Sequence, residues 1–160
     1  MTPTTNHLFE MNEMAQKISK YDAQIFHTIV TKLLFLRKWA QPDILIGVEF
    51  VTTRVRGPDE DDKKKLIRVL KYIHRAHDLV PNLESDGSGT VKWWVDASVA
   101  VQQDMKSHTG GEMLMGKGEV YSALSKHKLN TKSSTEAELV DVDDLMPQIL
   151  WMRYFWRLKA

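Results

Sequence analysis

"KWWVDASVAVQQDMKSHTGGEMLMGKGEVYSALSKHKLNTKSSTEAELV", residues 92–140, decides the fold. Trp93, Trp94 and Val95 open a β-favouring run that ends near Ser98. Two more short runs follow, joined by Gly116, Lys117 and Gly118, a glycine-flanked turn that suits a hairpin. "SSTEAELV", residues 133–140, then starts a helix that runs toward Trp156, with a kink or break expected at Pro147 because proline removes a backbone donor. The order is strand, hairpin, helix.

Upstream of this stretch the period is helical. Residues 23–39 place Ile25, Phe26, Ile29, Val30, Leu33, Leu34 and Leu36 on one wide stripe, with Arg37 and Lys38 at the end favoured by the helix dipole. "QPDILIGVEFVTTRV", residues 41–55, predicts a second helix with Pro42 in its first turn. "GPDEDDKKKLIRVLKYIHRAHD", residues 57–78, predicts a third, acidic at its start and carrying Leu66, Val69, Leu70 and Ile73 at helical spacing. Between the halves, residues 79–100 offer two extended runs separated by Gly87, Ser88, Gly89 and Thr90. The fold class is therefore α+β, with a helical segment over 1–86 and a strand-containing segment over 87–160.

Composition narrows the function classes. The 160 residues are 42% hydrophobic, enough for a globular core, and contain no cysteine, which excludes disulfide scaffolds, thiol catalysis and cysteine-based zinc sites. No apolar run approaches the roughly 20 residues of a membrane span, and the first residues lack the pattern of a secretory signal, so the expectation is an intracellular protein, cytoplasmic or nuclear, with no membrane partner. With 22 basic against 21 acidic residues, no global field points to nucleic acid. The local balance differs: Lys106, Lys117, Lys126, Lys128 and Lys132 stand against Glu112 and Glu119, a mild basic face suited equally to phosphate contacts or to a solvated hairpin.

Three carboxylates draw attention. Ser133 and Glu136 have the spacing of a capping box, and so do Thr135 and Glu138, so capping alone accounts for one or both glutamates. Asp96 interrupts an apolar strand, where a carboxylate is costly unless it is paired, metal-bound or turned to solvent. Asp143 and Asp144 read as a solvated helix face; His74 and His77, three apart near the end of the third helix with no third metal ligand apparent, read as a contact with the C-terminal helix dipole. Trp151, Tyr154, Phe155 and Trp156 read as core residues of the last helix.

The 92–140 stretch resembles the ribonuclease H region of copia-type retrotransposon polyproteins, in which an aspartate strand, a Ser-Thr-Ser-Gly-like turn, a "W-x-S-K-K-Q" strand and an "S-S-T-E-A-E-Y" helix start occur in this order; here the turn reads "SHTGG" and the strand "YSALSKHK". "FHTIVTKLLFLRKWAQPDILIGV", "LIRVLKYIHRAHDL" and "ILWMRYFW" are similar to further segments of the same polyprotein, the first two from the end of its reverse transcriptase. The resemblance implies a polymerase tail followed by an incomplete ribonuclease H-like domain of three strands and a long helix. It also implies Asp96 and Glu138 as catalytic and metal-binding carboxylates, Mg²⁺ as the cofactor, an RNA–DNA hybrid as the partner, and Ser133 with Glu136 as the helix cap. Cleavage by two metal ions needs several convergent oxygen ligands. In the family the remaining ligands follow the long helix, and the polymerase Tyr-x-Asp-Asp precedes the matched region, so the expected chain is inactive, with a noncatalytic nucleic-acid-binding remnant or an inert open reading frame as alternatives. Self-association through an open sheet edge beside "KWWVDASV" is expected too.

The change of period predicts a boundary within "ESDGSGTV", residues 84–91. Limited proteolysis is expected to cut there first; early cleavage inside residues 60–75 with this loop intact would contradict the division.

Overall fold

A computed structural model describes residues 2–4, 7–79, 81–98, 107–127, 129 and 131–159. The chain divides into two compact units, Met1–Pro81 and Asn82–Ala160.

The first unit is helical. Helix α1, Lys20–Trp39, begins three residues before the apolar stripe because Ser19 caps it, its hydroxyl accepting from the Asp22 N–H at 3.0 Å. Phe26, Val30 and Leu33 are its buried positions, at the i, i+4, i+7 spacing of one helix face. A short 3₁₀ turn at Pro42–Ile44 leads into α2, Leu45–Thr53, whose Val48, Phe50 and Val51 are buried. Helix α3, Glu60–Arg75, contributes Leu66 and Val69 to the same core, which Leu8 and Ile44 complete.

The start of α3 carries the unit's main polar network. Asp59 accepts from the Asp61 and Asp62 N–H groups, and the Asp62 carboxylate reaches back to the Asp59 N–H, a reciprocal capping box. Arg54, just past α2, places its Nε 3.0 Å from both Asp62 carboxylate oxygens and its second terminal nitrogen 3.3 Å from Asp59 Oδ2. Burial pushes the Asp62 carboxyl above its ordinary range, against the pull of the Asp59 N–H and Arg54. For Asp59 burial is outweighed by the Asp62 N–H, Lys17 and Arg54, which together hold it below that range.

The second unit is a three-stranded antiparallel sheet with a helix on one face: β1, Val91–Ser98; β2, His108–Met115; β3, Gly118–Lys126; and α4, Ser134–Lys159. Among the described residues the strand order is β1-β2-β3, which leaves the outer edge of β1 unpaired. Together the two units make a mixed α+β protein. The extended run expected over 79–86 does not form a strand. Residues 82–86 instead lie against the β2–β3 turn, where the Lys117 N–H donates to the Glu84 carbonyl at 2.8 Å and Lys117 Nζ meets Glu84 Oε1 at 2.7 Å. Through these contacts residues 82–86 belong to the second unit. Gly116 has φ +68°, the left-handed conformation this tight turn requires.

Alternation along the strands sorts the sheet into two faces. In register, Ala97 opposes Thr109, Val95 opposes Gly111 and Trp93 opposes Met113. Those positions face α4: Trp93 also meets Tyr121 with ring centroids 5.9 Å apart, and Met113 is buried. Lys92, Trp94, Asp96 and Glu112 are exposed on the open face. Helix α4 turns Ala137, Asp141 and Leu145 inward at four-residue intervals. It continues through Pro147 without a break.

Gly111 is the point of closest approach. A Cβ there would lie 2.4 Å from Leu145 Cδ1 and 2.9 Å from Cδ2, and Leu145 is itself buried. Gly111→Ala is therefore expected to destabilise this unit by about 1–3 kcal/mol through overpacking. Urea unfolding followed by near-ultraviolet circular dichroism reads it, because four of the five tryptophans lie in this unit.

Candidate functional site

Asp96 sits in the middle of β1, opposite Gly110 on β2, and its side chain is exposed on the open face of the sheet. Glu138 lies one turn into α4, also exposed, and α4 covers the other face. The two carboxylates expected to share metal ions are thus presented on opposite sides of the sheet. A Mg²⁺ ion needs oxygen ligands at 2.0–2.1 Å in near-octahedral array, which these two do not supply together in this arrangement. Among the described residues no group of three or more His, Asp or Glu side chains is arranged to hold a metal ion.

The start of α4 is built as a cap. Ser133 Oγ accepts from the Glu136 N–H at 3.2 Å, and Glu136 Oε2 reaches back to accept from the Lys132 N–H at 2.6 Å. The returning glutamate therefore serves the donor one residue before Ser133, a variation on the reciprocal box.

The lysines expected to form a basic face are spread out. Lys117 is in the β2–β3 turn and is paired with Glu84, while Lys126 ends β3 and Lys132 precedes α4. Nine residues of extended chain separate Lys117 from Lys126, about 30 Å at the usual rise. Lys106 and Lys128 lie outside the described residues.

The inner face of this unit holds a polar cluster that the sequence reading missed. His127, the residue after β3, places Nε2 2.5 Å from Asp141 Oδ1, and the side chains are 0% and 1% exposed. Thr109 Oγ1 donates to Asp144 Oδ2 at 3.1 Å. Ser107 Oγ lies 3.1 Å from Thr131 Oγ1, and the His127 N–H donates to the Ser107 carbonyl at 2.9 Å. Asp144, expected on a solvated face, is half-buried here, and Asp141, one turn after Glu138, is fully buried. His108, expected in a turn, begins β2 and is buried as well. The available signal was the four-residue spacing Ala137, Asp141, Leu145, which puts an aspartate on the apolar side of α4.

Ser107, His127 and Asp141 have the side-chain types of a nucleophile relay, but the geometry differs. A relay needs one imidazole nitrogen on the carboxylate and the other on the hydroxyl. His127 Nδ1 and Asp141 Oδ2 meet no hydrogen-bonding partner among the described residues, and Ser107 turns to Thr131. Closed to solvent, the pair acts as a clamp between the end of β3 and α4. Burial holds the Asp141 carboxyl above the ordinary carboxylate range, against the pull of the His127 hydrogen bond, and the Asp144 carboxylate adds to the rise.

His74 and His77 are exposed at the end of α3, with rings 6.4 Å apart and His77 Nδ1 2.8 Å from the His74 carbonyl. The aromatic residues at the end of α4, expected as core, are on the surface: Trp151 is 63% exposed and Tyr154 60%, and Trp151 stacks on Phe155 at 5.4 Å. No helix among the described residues is long and apolar enough to cross a membrane.

Comparison with protein-family models, with curated proteins and with solved structures gave no match to this chain.

Asp141→Ala is expected to cost about 3–5 kcal/mol, since it strands a buried imidazole. Asp141→Asn isolates the pH effect. A carboxyl whose folded pKa is raised binds its proton more readily in the native state, so its stabilising contribution is complete below the unfolded value near 3.9 and is lost as pH rises through the folded value. Urea unfolding from pH 3.5 upward should show the wild-type protein losing stability relative to Asp141→Asn across that window. A difference between the two that stays flat with pH would refute the raised carboxyl.

Proposed function

We propose that this chain is a piece of a copia-type retrotransposon polyprotein, joining the tail of a reverse transcriptase to the first part of a ribonuclease H-like domain. The parent activity is RNA-templated DNA synthesis with metal-dependent cleavage of RNA in RNA–DNA hybrids. One observation carries the reading: the second unit runs strand, hairpin, helix, with Asp96 inside the first strand and Glu138 one turn into the helix, in the order and with the flanking motifs that the polyprotein resemblance requires. The helical first unit, with "LIRVLKYIHRAHDL" on α3, supports the polymerase-tail half of the same reading.

On this reading the chain itself does not cleave. Two-metal hydrolysis sets one ion against the attacking water and one against the leaving oxygen, and both must be held rigidly by shared ligands. Asp96 and Glu138, exposed on opposite faces, are two carboxylates where such a site needs several convergent oxygen ligands.

Purified chain is expected to show no Mg²⁺-dependent hydrolysis of an RNA strand paired to DNA. Appending the downstream strand and last helix of a full-length relative should create activity that Asp96→Asn or Glu138→Gln abolishes. Hybrid binding that weakens steeply with salt, without cleavage in either form, would favour the noncatalytic nucleic-acid-binding reading instead. Cleavage by the unextended chain that disappears in Asp96→Asn would show that these carboxylates act as they stand.

A further inference from the structure

The face of α4 turned away from the sheet carries a second apolar stripe. Leu139, Val142, Met146 and Leu150 recur at intervals of three and four residues and are 68%, 42%, 37% and 37% exposed. This is the spacing of a helix–helix seam, on the side opposite Ala137, Asp141 and Leu145. A run of four large apolar side chains along one exposed helix face is more than the scattered surface residues an isolated domain carries.

The charges beside that stripe are polarised along the helix. From Ser134 to Pro147 there is no base, and the exposed acids are Glu136, Glu138 and Asp143, Asp141 and Asp144 being turned to the sheet; from Gln148 to Lys159 there is no acid, and the bases are Arg153, Arg157 and Lys159. Glu138, Asp143, Arg153 and Arg157 are exposed, and none forms an ion pair with another described residue. A surface with acid at one end and base at the other is complementary to its own reverse. Laid alongside a second copy in parallel, it opposes like charges at both ends; laid antiparallel, it pairs acid with base at both ends and sets the positive end of each helix dipole beside the negative end of the other.

We propose that the outer face of α4 is a homodimer interface, in which two copies of the chain pair their α4 helices antiparallel about a two-fold axis at Met146. In this register Val142 of each copy packs against Leu150 of the other, and Glu136 and Glu138 of each lie alongside Arg153 and Arg157 of the other. The contact is isologous, so it closes at two copies and does not propagate. It differs from pairing at the open β1 edge, which would join main chains and is indifferent to these charges.

The test uses the full chain. Sedimentation equilibrium at about 50 μM is expected to give twice the monomer mass, with dissociation rising several-fold between 0.05 and 1 M salt as the ion pairs are screened. Arg153→Glu with Arg157→Glu places acid against acid at both ends, and Glu138→Arg with Asp143→Arg places base against base; each should be monomeric, and an equimolar mixture of the two should recover a dimer containing one of each. Register is read separately. The chain has no cysteine, so Met146→Cys should oxidise to a disulfide-linked dimer across the axis, whereas Leu139→Cys, about 20 Å from its mate, should not. A monomeric wild-type chain, a dimer that survives both charge reversals, or cross-linking at Leu139→Cys in place of Met146→Cys would overturn the proposal. Because oligomeric mass is read without nucleic acid, failure here is distinct from failure of the polyprotein reading.

Discussion

The hydrogen atom at position 111 sets where α4 lies. Leu145 fills the space that any side chain on Gly111 would take, so the helix comes down on β2 to a distance that only a glycine strand permits. Once Leu145 is seated, the rest of the inner face is fixed by helical spacing. Asp141 falls one turn back, at the end of β3, and Ala137 another turn back, where its small side chain is completely buried. The sheet side is fixed by the same contact, since Gly111, Thr109 and Met113 share one face by alternation and carry Val95, Ala97 and Trp93 with them through the β1–β2 register.

A buried Asp–His pair is an expensive way to fill the second of these positions. Both groups lose water, one oxygen and one nitrogen go without a partner among the described residues, and the raised carboxyl records the cost. An apolar pair of the same volume would suit stability as well or better. What the pair adds is direction: Nε2 to Oδ1 at 2.5 Å is satisfied only at one rotation and one axial position of α4, whereas leucine against glycine tolerates sliding. The Thr109–Asp144 bond, three residues along the helix, enforces the same position. The first unit uses its polar network differently. Arg54, Asp59 and Asp62 meet at a helix N-terminus, where backbone N–H groups supply the missing partners, and the carboxylates there are better satisfied.

Legibility in the sequence tracks how much of each helix is buried on a single side. The helices of the first unit were readable because their apolar residues cluster on one stripe; Phe26, Val30 and Leu33 stand in the periodic pattern and in the core alike. The hairpin was readable from Gly116, whose positive φ the turn needs. Helix α4 was readable as a helix but not as a packed one. It has apolar residues all round, so periodicity could not separate the inner Ala137 and Leu145 from the outer Leu139 and Met146, and the aromatic end, expected as core, lies beyond the helix's buried positions at Ala137, Asp141 and Leu145. The break that Pro147 suggested does not occur, for a related reason. A proline removes one hydrogen bond, and its exposed position leaves the freed carbonyl open to solvent, so the helix can absorb it. The His127–Asp141 contact was invisible because it joins two residues whose types signal surface, and only the tertiary arrangement brings them together.

The orientation of Asp96 follows from the same alternation and bears on how the carboxylates could meet. For Asp96 to face Glu138, β1 would have to slip by one residue against β2, which moves every side chain of the strand to the other face. Trp93, Val95 and Ala97 would leave the helix-covered side, and the contact between the Trp93 and Tyr121 rings would be lost. Lys92, Trp94 and Asp96 would take their places, so a lysine and an aspartate would be buried where valine and alanine now sit. Trp94 alone would gain. The balance of apolar burial therefore holds Asp96 outward as long as α4 and the hairpin are the only elements acting on β1. A carboxylate pair facing one ion needs a further contact strong enough to outweigh that preference, either metal charge between the two groups or another strand on the open edge of β1, where the unpaired main chain is available to receive it.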